Sequence, residues 1–387
     1  MRTSGGRQKK KWYKLRLKCG VNLDEVKDMW YHNRRSICFE RYSFMKRIFT
    51  LQEYWEKLAE EHRPSLSFKN AGLPFDEWKP AAYGKLAELL GKFPEKVPLN
   101  AEVLYSVDQG DYIRRKVVFD VDKYMSVPAV VLIPKSAKKD KSTPAILCSH
   151  GHGPFGKDSV TGMTGTPERA ADVAAANYNF AEQMAKEGFV TISPDLRGFG
   201  ERRDKYDPID IPRDPCNLNY VKGSIFGVYP LTLNIWDFKC CIDYLETMDE
   251  VDPDRIGMMG MSQGGTMTTF VTAVEPRIKA CDIISYVNPF DAFGIRDGNF
   301  CGSQVLPNLY RYMDTFDVAG LIAPRPCLME MGIYDACFPF EDLWRGYEET
   351  KRIFDAAGAG DKLVTDIHPH GHAFSGVKAP DFFRENL

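Results

Sequence analysis

Gly260, Ser262 and Gly264 stand at alternate positions in the run IGMMGMSQGGTM, residues 256–267. This G-x-S-x-G spacing suits a serine held on a sharp turn between a strand and a helix. The turn strains the serine backbone, so its neighbours must lack side chains. Such a serine exposes its Oγ for attack on a carbonyl carbon, which is acyl-transfer chemistry. A serine hydroxyl is a poor nucleophile at its ordinary pKa, so it needs a general base, and the base needs an acid to orient it. On this kind of turn the order along the chain is Ser, then Asp or Glu, then His. Glycine and serine also punctuate ordinary loops, so the reading depends on whether partners follow.

The chain has seven histidines. His32 and His62 lie in the N-terminal region, and His150 and His152 precede the serine. Only His368, His370 and His372, all in DIHPHGHAFSG, come after it. His372 is the preferred base, because Gly371 lets the loop turn and Ala373-Phe374 can seat it. His370 is the second choice, and His368 still belongs to the strand alternation. An H-x-H-x-H run could instead ligate zinc, but that needs a strand that persists through Pro369 and Gly371. Asp335 is the preferred acid, just past the strand in CLMEMGIYDACFPFED. Glu330 falls inside the apolar run, and Glu341 and Asp342 read as helix N-terminal acids favoured by the dipole. A developing oxyanion needs backbone donors: the N–H of Gln263 after the nucleophile, and the N–H of His152 in the loop SHGHG. The His150 ring is expected to brace that loop. In PDLRGFGERR, Asp195, Arg197 and Glu201 could meet a charged substrate group, but a buried ion-pair network is the expected reading.

These residues must be held by an alternating scaffold. Helices are expected over 50–63 and near 76–91, with Gly91 as the stop of the second. RRKVVFDVD and VPAVVLIP read as an antiparallel hairpin turning near Lys123. Strands and helices then alternate from PAILCSHGHG to KLVTDIHPHGH, with one helix of about 20 residues over PERAADVAAANYNFAEQMAKEG. This predicts a mostly parallel sheet with helices on both faces. The long segments 202–230 and 288–316, rich in aromatics, fall at the carboxyl edge of the sheet and are expected to rim the pocket.

The bulk properties exclude several classes. Net charge is −2 over 387 residues, which gives no electrostatic case for nucleic acid. No run of about 18 apolar residues occurs, so no membrane span is expected. The basic start MRTSGGRQKKKWYKLRLKCG has no apolar core and does not read as a secretory signal. Ten scattered cysteines without a C-x-x-C pair read as reduced, mostly buried thiols of a cytoplasmic protein, with no metal or disulfide framework. The expected organisation is a basic, disordered tail over 1–48, a helical extension over 49–100 and the catalytic unit over 101–387.

On the motifs HGHGPFGK, PDLRGFGERR, GMSQGG, GIYDACFP and HPHGHAF, the sequence resembles the α/β-hydrolase superfamily, in its dienelactone hydrolase-like and acetyl xylan esterase-like branch. FDEWKPAAYGKLAELLG resembles the N-terminal extension of such esterases, and the resemblance spans about residues 70–380. It implies an α/β-hydrolase fold and a cofactor-free serine esterase with Ser262, Asp335 and His372 as nucleophile, acid and base, and His152 and Gln263 as oxyanion donors. The implied substrate is a small ester with a short acyl group such as acetyl, including acetylated carbohydrates, and a homo-oligomer fits the class. Dienelactone hydrolases carry a cysteine where this chain has Ser262. A peptidase of the prolyl-peptidase type, or a binding protein that retains the fold, are the alternative readings.

Overall fold

The computed structural model describes residues 47–203 and 215–387. The expected basic tail thus lies almost wholly outside the described residues, as do Cys19, Cys38 and part of the 202–230 segment. The chain divides into two compact units, Met1–Lys57 and Leu58–Leu387. Helix α1 (Leu51–Glu61) forms where the spacing of Leu51, Tyr54, Trp55 and Leu58 predicts it. Helix α2 (Phe75–Leu90) ends at Gly91, whose φ of 73° serves as the cap. It belongs to the larger unit and buries Trp78, Ala82 and Leu86 completely. The indole N–H of Trp78 donates to the Leu66 carbonyl at 2.7 Å, so its one polar atom is satisfied on burial.

Nine strands form one sheet in the order β1-β2-β3-β5-β4-β6-β7-β8-β9. The strands are β1 (Glu102–Asp108), β2 (Tyr112–Asp120), β3 (Ser126–Pro134), β4 (Thr143–Ser149), β5 (Val190–Pro194), β6 (Val251–Met261), β7 (Ile278–Ile284), β8 (Cys327–Gly332) and β9 (Leu363–His368). The first three form an antiparallel meander that joins β5 antiparallel, and β5 through β9 pair in parallel. The expected hairpin is thus β2 and β3, pairing Tyr112 with Pro134 through to Asp120 with Ser126.

Period-two geometry sends successive residues of a strand to opposite faces. In β4, Ala145 and Leu147 enter one apolar cluster while Ile146 and Cys148 enter another. The first cluster contains residues of α2, α6 (Pro230–Glu246), α7 (Gln263–Val274) and α8 (Phe340–Ala356). The second contains residues of α4 (Phe180–Lys186) and α9 (Ala379–Asn386). Both faces are therefore covered, which is why the central strands read as continuous apolar runs. Among the described residues no helix is long and apolar enough to cross a membrane.

Three local features differ from the sequence reading. The single helix expected over 167–188 is two, α3 (Pro167–Ala176) and α4. Asn177 separates them in the left-handed region at φ 48° and ψ 44°, a conformation asparagine tolerates better than most residues. Its Nδ2 donates to Phe374 O, and Phe374 N–H donates to Ala176 O, so the break fastens a distant loop. Strand β1 was not expected. Its residues are all exposed, so no buried face imprints an alternation on the sequence. The segment 202–230 contains a helix, α5 (Pro215–Phe226).

Candidate active site

Ser262 occupies the single position between β6 and α7, at φ 63° and ψ −120°. A non-glycine residue there carries strain of about 1–3 kcal/mol, held by its surroundings. Ser262 N–H donates to Ile284 O of β7 at 3.0 Å, and Ser262 O accepts from Thr266 N–H at 3.0 Å. The flanking glycines answer to close approach. A Cβ on Gly260 would lie 2.5 Å from Gly264 O, and one on Gly264 would lie 2.1 Å from Ser149 O. These contacts are with backbone, which cannot swing aside. Helix α7 is buried along its whole length. Thr268 and Thr269 satisfy their hydroxyls by donating to the carbonyls of Gly264 and Gly265, which lets a threonine-rich helix sit in the core.

The acid and the base come from the loops after β8 and β9. These loops are stitched together beyond the sheet: Ile333 N–H donates to His368 O, and Tyr334 N–H to His370 O. Asp335 and His372 then meet, with Oδ2 of Asp335 2.8 Å from Nδ1 of His372. The other carboxylate oxygen accepts the N–H groups of Cys337 and Phe338, each at 2.8 Å. Burial opposes ionisation of Asp335, but the His372 bond and these N–H donors outweigh it and hold the carboxyl below its ordinary pKa. The ring of His372 stacks on Phe338, which stacks on Phe293. A cleft of about 430 Å³ runs beside it, lined by Ala174, Asn177, His370, His372 and Phe374. His370 is exposed and His368 buried, and among the described residues the three histidines form no metal-ligating group.

The loop after β4 passes directly beside the serine. A Cβ on Gly151 would lie 2.8 Å from Met261 O and 3.1 Å from Cβ of Ser262. Gly151 N–H donates to the buried Tyr178 hydroxyl at 2.5 Å. Buried His150 spans the loop: Nε2 accepts the Leu196 N–H at 3.0 Å, which puts its proton on Nδ1, 2.7 Å from Gly151 O. Burial lowers its pKa, consistent with a neutral ring. Asp195 is fully buried and accepts from Lys157 N–H, Lys157 Nζ and Glu201 N–H. Arg197 is held by both oxygens of Asp237. These charges brace the loops, as expected.

Gln263 and His152, the two expected oxyanion residues, are linked through their side chains. Gln263 Nε2 donates to Ser303 Oγ at 2.7 Å, Ser303 Oγ lies 2.8 Å from Cys301 Sγ, and Cys301 Sγ lies 3.0 Å from His152 Nε2. Cys216 Sγ is 3.7 Å from the same nitrogen. A hydrogen bond from Cys216 pulls the Cys301 thiol down to about 5, against burial, with His152 and Ser303 adding to the effect. This grouping escaped the sequence reading, because its members lie far apart in the chain and share no motif. The one usable signal was that the segments 202–230 and 288–316 both reach the carboxyl edge. They do meet: Asn217 Oδ1 accepts the Gly302 N–H at 2.7 Å.

A family model described as the abhydrolase family matches residues 35–352. YtaP of Bacillus subtilis, named only provisionally as a hydrolase, is 28% identical over 296 residues, covering 74% of this chain and 92% of YtaP. Among solved structures, a Bacteroides fragilis protein provisionally named as an acetyl xylan esterase superposes with a TM-score of 0.65 at 17% identity, covering 87% of this chain and 85% of the other. A glucuronoyl esterase from Solibacter usitatus superposes with a TM-score of 0.59 at 17% identity, covering 84% and 97%. At such identities the structural likeness is one of fold.

Proposed function

Because the chain belongs to the abhydrolase family, we propose that it is a serine hydrolase that cleaves carboxylic esters. Two observations support this reading: a strained Ser262 on the turn between β6 and α7, and an Asp335–His372 hydrogen bond built on the loops after β8 and β9. His372, oriented by Asp335 through Nδ1, takes the Ser262 proton as Oγ attacks the ester carbonyl. The tetrahedral oxyanion is held by the N–H groups of His152 and Gln263, with the positive end of the α7 dipole behind it. His372 then gives the proton to the departing alcohol. Water, activated by the same histidine, resolves the acyl-enzyme. Nucleophile, acid and base are all side chains, so the reaction needs no cofactor.

The preferred substrates are small esters with a short acyl group, acetylated carbohydrates among them. Support comes from the fold's superposition on a protein provisionally named an acetyl xylan esterase and on a glucuronoyl esterase. The test is hydrolysis of p-nitrophenyl esters from acetyl to octanoyl by the wild type and Ser262→Ala, with a fluorophosphonate probe on both. The expected outcome is acetyl turnover and probe labelling in the wild type, and neither in the variant. Near wild-type turnover by a clean Ser262→Ala preparation overturns the proposal.

A further inference from the structure

We propose that His152, Cys216 and Cys301 form a binding site for a soft divalent metal ion of the zinc type. The three side chains come from the loop after β4, from α5 and from the segment 288–316. Their donor atoms all lie within 4.8 Å of one another, and among the described residues they are the one such convergence of three. Ligand type and spacing both fit the ion. Thiolate and imidazole donors select zinc over hard cations. With Zn–S of about 2.3 Å and Zn–N of about 2.0–2.1 Å, tetrahedral coordination places sulfur and nitrogen about 3.6 Å apart. The two observed separations, 3.0 and 3.7 Å, bracket that value. The two sulfurs lie within 4.8 Å of each other, against about 3.8 Å across a tetrahedral zinc, so closing the site requires side-chain rotation at the ligands.

The surroundings are those of a ligand set. Cys216 and Cys301 are buried while His152 reaches the surface, so an ion here has protein on one side and a solvent-facing fourth position. Gln263 Nε2–H donates to Ser303 Oγ. That leaves the Ser303 hydroxyl hydrogen to point at Cys301 Sγ, 2.8 Å away. Outer hydrogen bonds of this kind orient and stabilise a ligating thiolate. Binding releases up to two thiol protons to solvent and forms two metal–sulfur bonds and one metal–nitrogen bond, with no change of oxidation state. The ion would fasten α5 to the loop that passes beside Ser262. The site is argued from its own ligands; it shares His152 with the esterase reading, through the ring rather than the backbone N–H, and its test reads metal binding rather than ester turnover.

The experiment is titration of the reduced, metal-stripped full chain with Co²⁺, followed by displacement with Zn²⁺. The expected result is one Co²⁺ per chain, with a thiolate-to-metal charge-transfer band that Zn²⁺ abolishes. Cys216→Ser and Cys301→Ser should each weaken binding about a hundredfold and reduce the band. His152→Ala, at an exposed position where folding is not at risk, should weaken binding comparably, and Cys337→Ser should leave it unchanged. Absence of the band in the reduced wild type overturns the proposal. So does a band that survives unchanged in Cys216→Ser, Cys301→Ser and His152→Ala.

Discussion

Replacing Asp335 by asparagine separates the shape of the carboxylate from its charge. In the native protein, one oxygen accepts two backbone N–H groups and the other faces His372 Nδ1. An asparagine must keep its carbonyl oxygen toward the two N–H donors, since turning its amide there would set three donors against one another. Its NH₂ then points at Nδ1, which can only accept. The imidazole proton is forced to Nε2, the nitrogen that should take the serine proton. The ring is held in place but in the wrong tautomer. In triads where that swap has been made, kcat falls by about 10⁴, which at 1.36 kcal/mol per decade is about 5 kcal/mol of barrier. The expected result is a kcat loss of that order for p-nitrophenyl acetate, a KM within a few-fold of wild type, and an unfolding midpoint little changed. A kcat within tenfold of wild type would refute the assignment of Asp335 as the orienting acid.

Two further outcomes follow from packing and burial. Gly264→Ala drives a Cβ to 2.1 Å from the Ser149 carbonyl, and a cost of about 3 kcal/mol, the upper end of the usual overpacking range, should lower the thermal midpoint by several degrees together with turnover; an unchanged midpoint would show that the turn is not as tight as described. Burial pushes Glu330 up to about 8 and also raises its neighbour Asp282. The folded state thus keeps a proton that the unfolded state has lost, so stability is greatest below the ordinary carboxyl pKa and falls as pH rises toward 8, by at most about 1.4 kcal/mol per pH unit for each such proton. Glu330→Gln, which can still accept the Ser375 N–H, should flatten that decline in thermal melts between pH 5 and 8, and an unaltered slope would count against it.

The elements that position the site were legible because their causes are local. The glycines around Ser262 mark where backbone must touch backbone, and Ser262, Asp335 and His372 follow the ends of β6, β8 and β9 in that order. His372 was preferred to His370 on the turn at Gly371, and it is the His372 ring whose Nδ1 faces Asp335. What stayed hidden depends on distant partners. Asn177 breaks a helix because Phe374, far along the chain, receives it. Strand β1 has no buried face to write a pattern. His152, Cys216 and Cys301 lie 64, 85 and 149 positions apart, counting between successive pairs and then end to end, and nothing in the spacing of single residues announces that they converge.

The stack of His372 on Phe338 on Phe293 has a bearing on how this protein can change. Phe293 belongs to the segment expected to rim the pocket, so on the proposed mechanism one segment would both shape the pocket and back the ring of the general base. A substitution in that rim shifts both at once. Under the proposed mechanism, selectivity and turnover would not be separate dials on this scaffold. On the proposed mechanism, remodelling residues 290–296 for a new ester would call for a second change at Phe338 or its neighbours that returns the imidazole to its place.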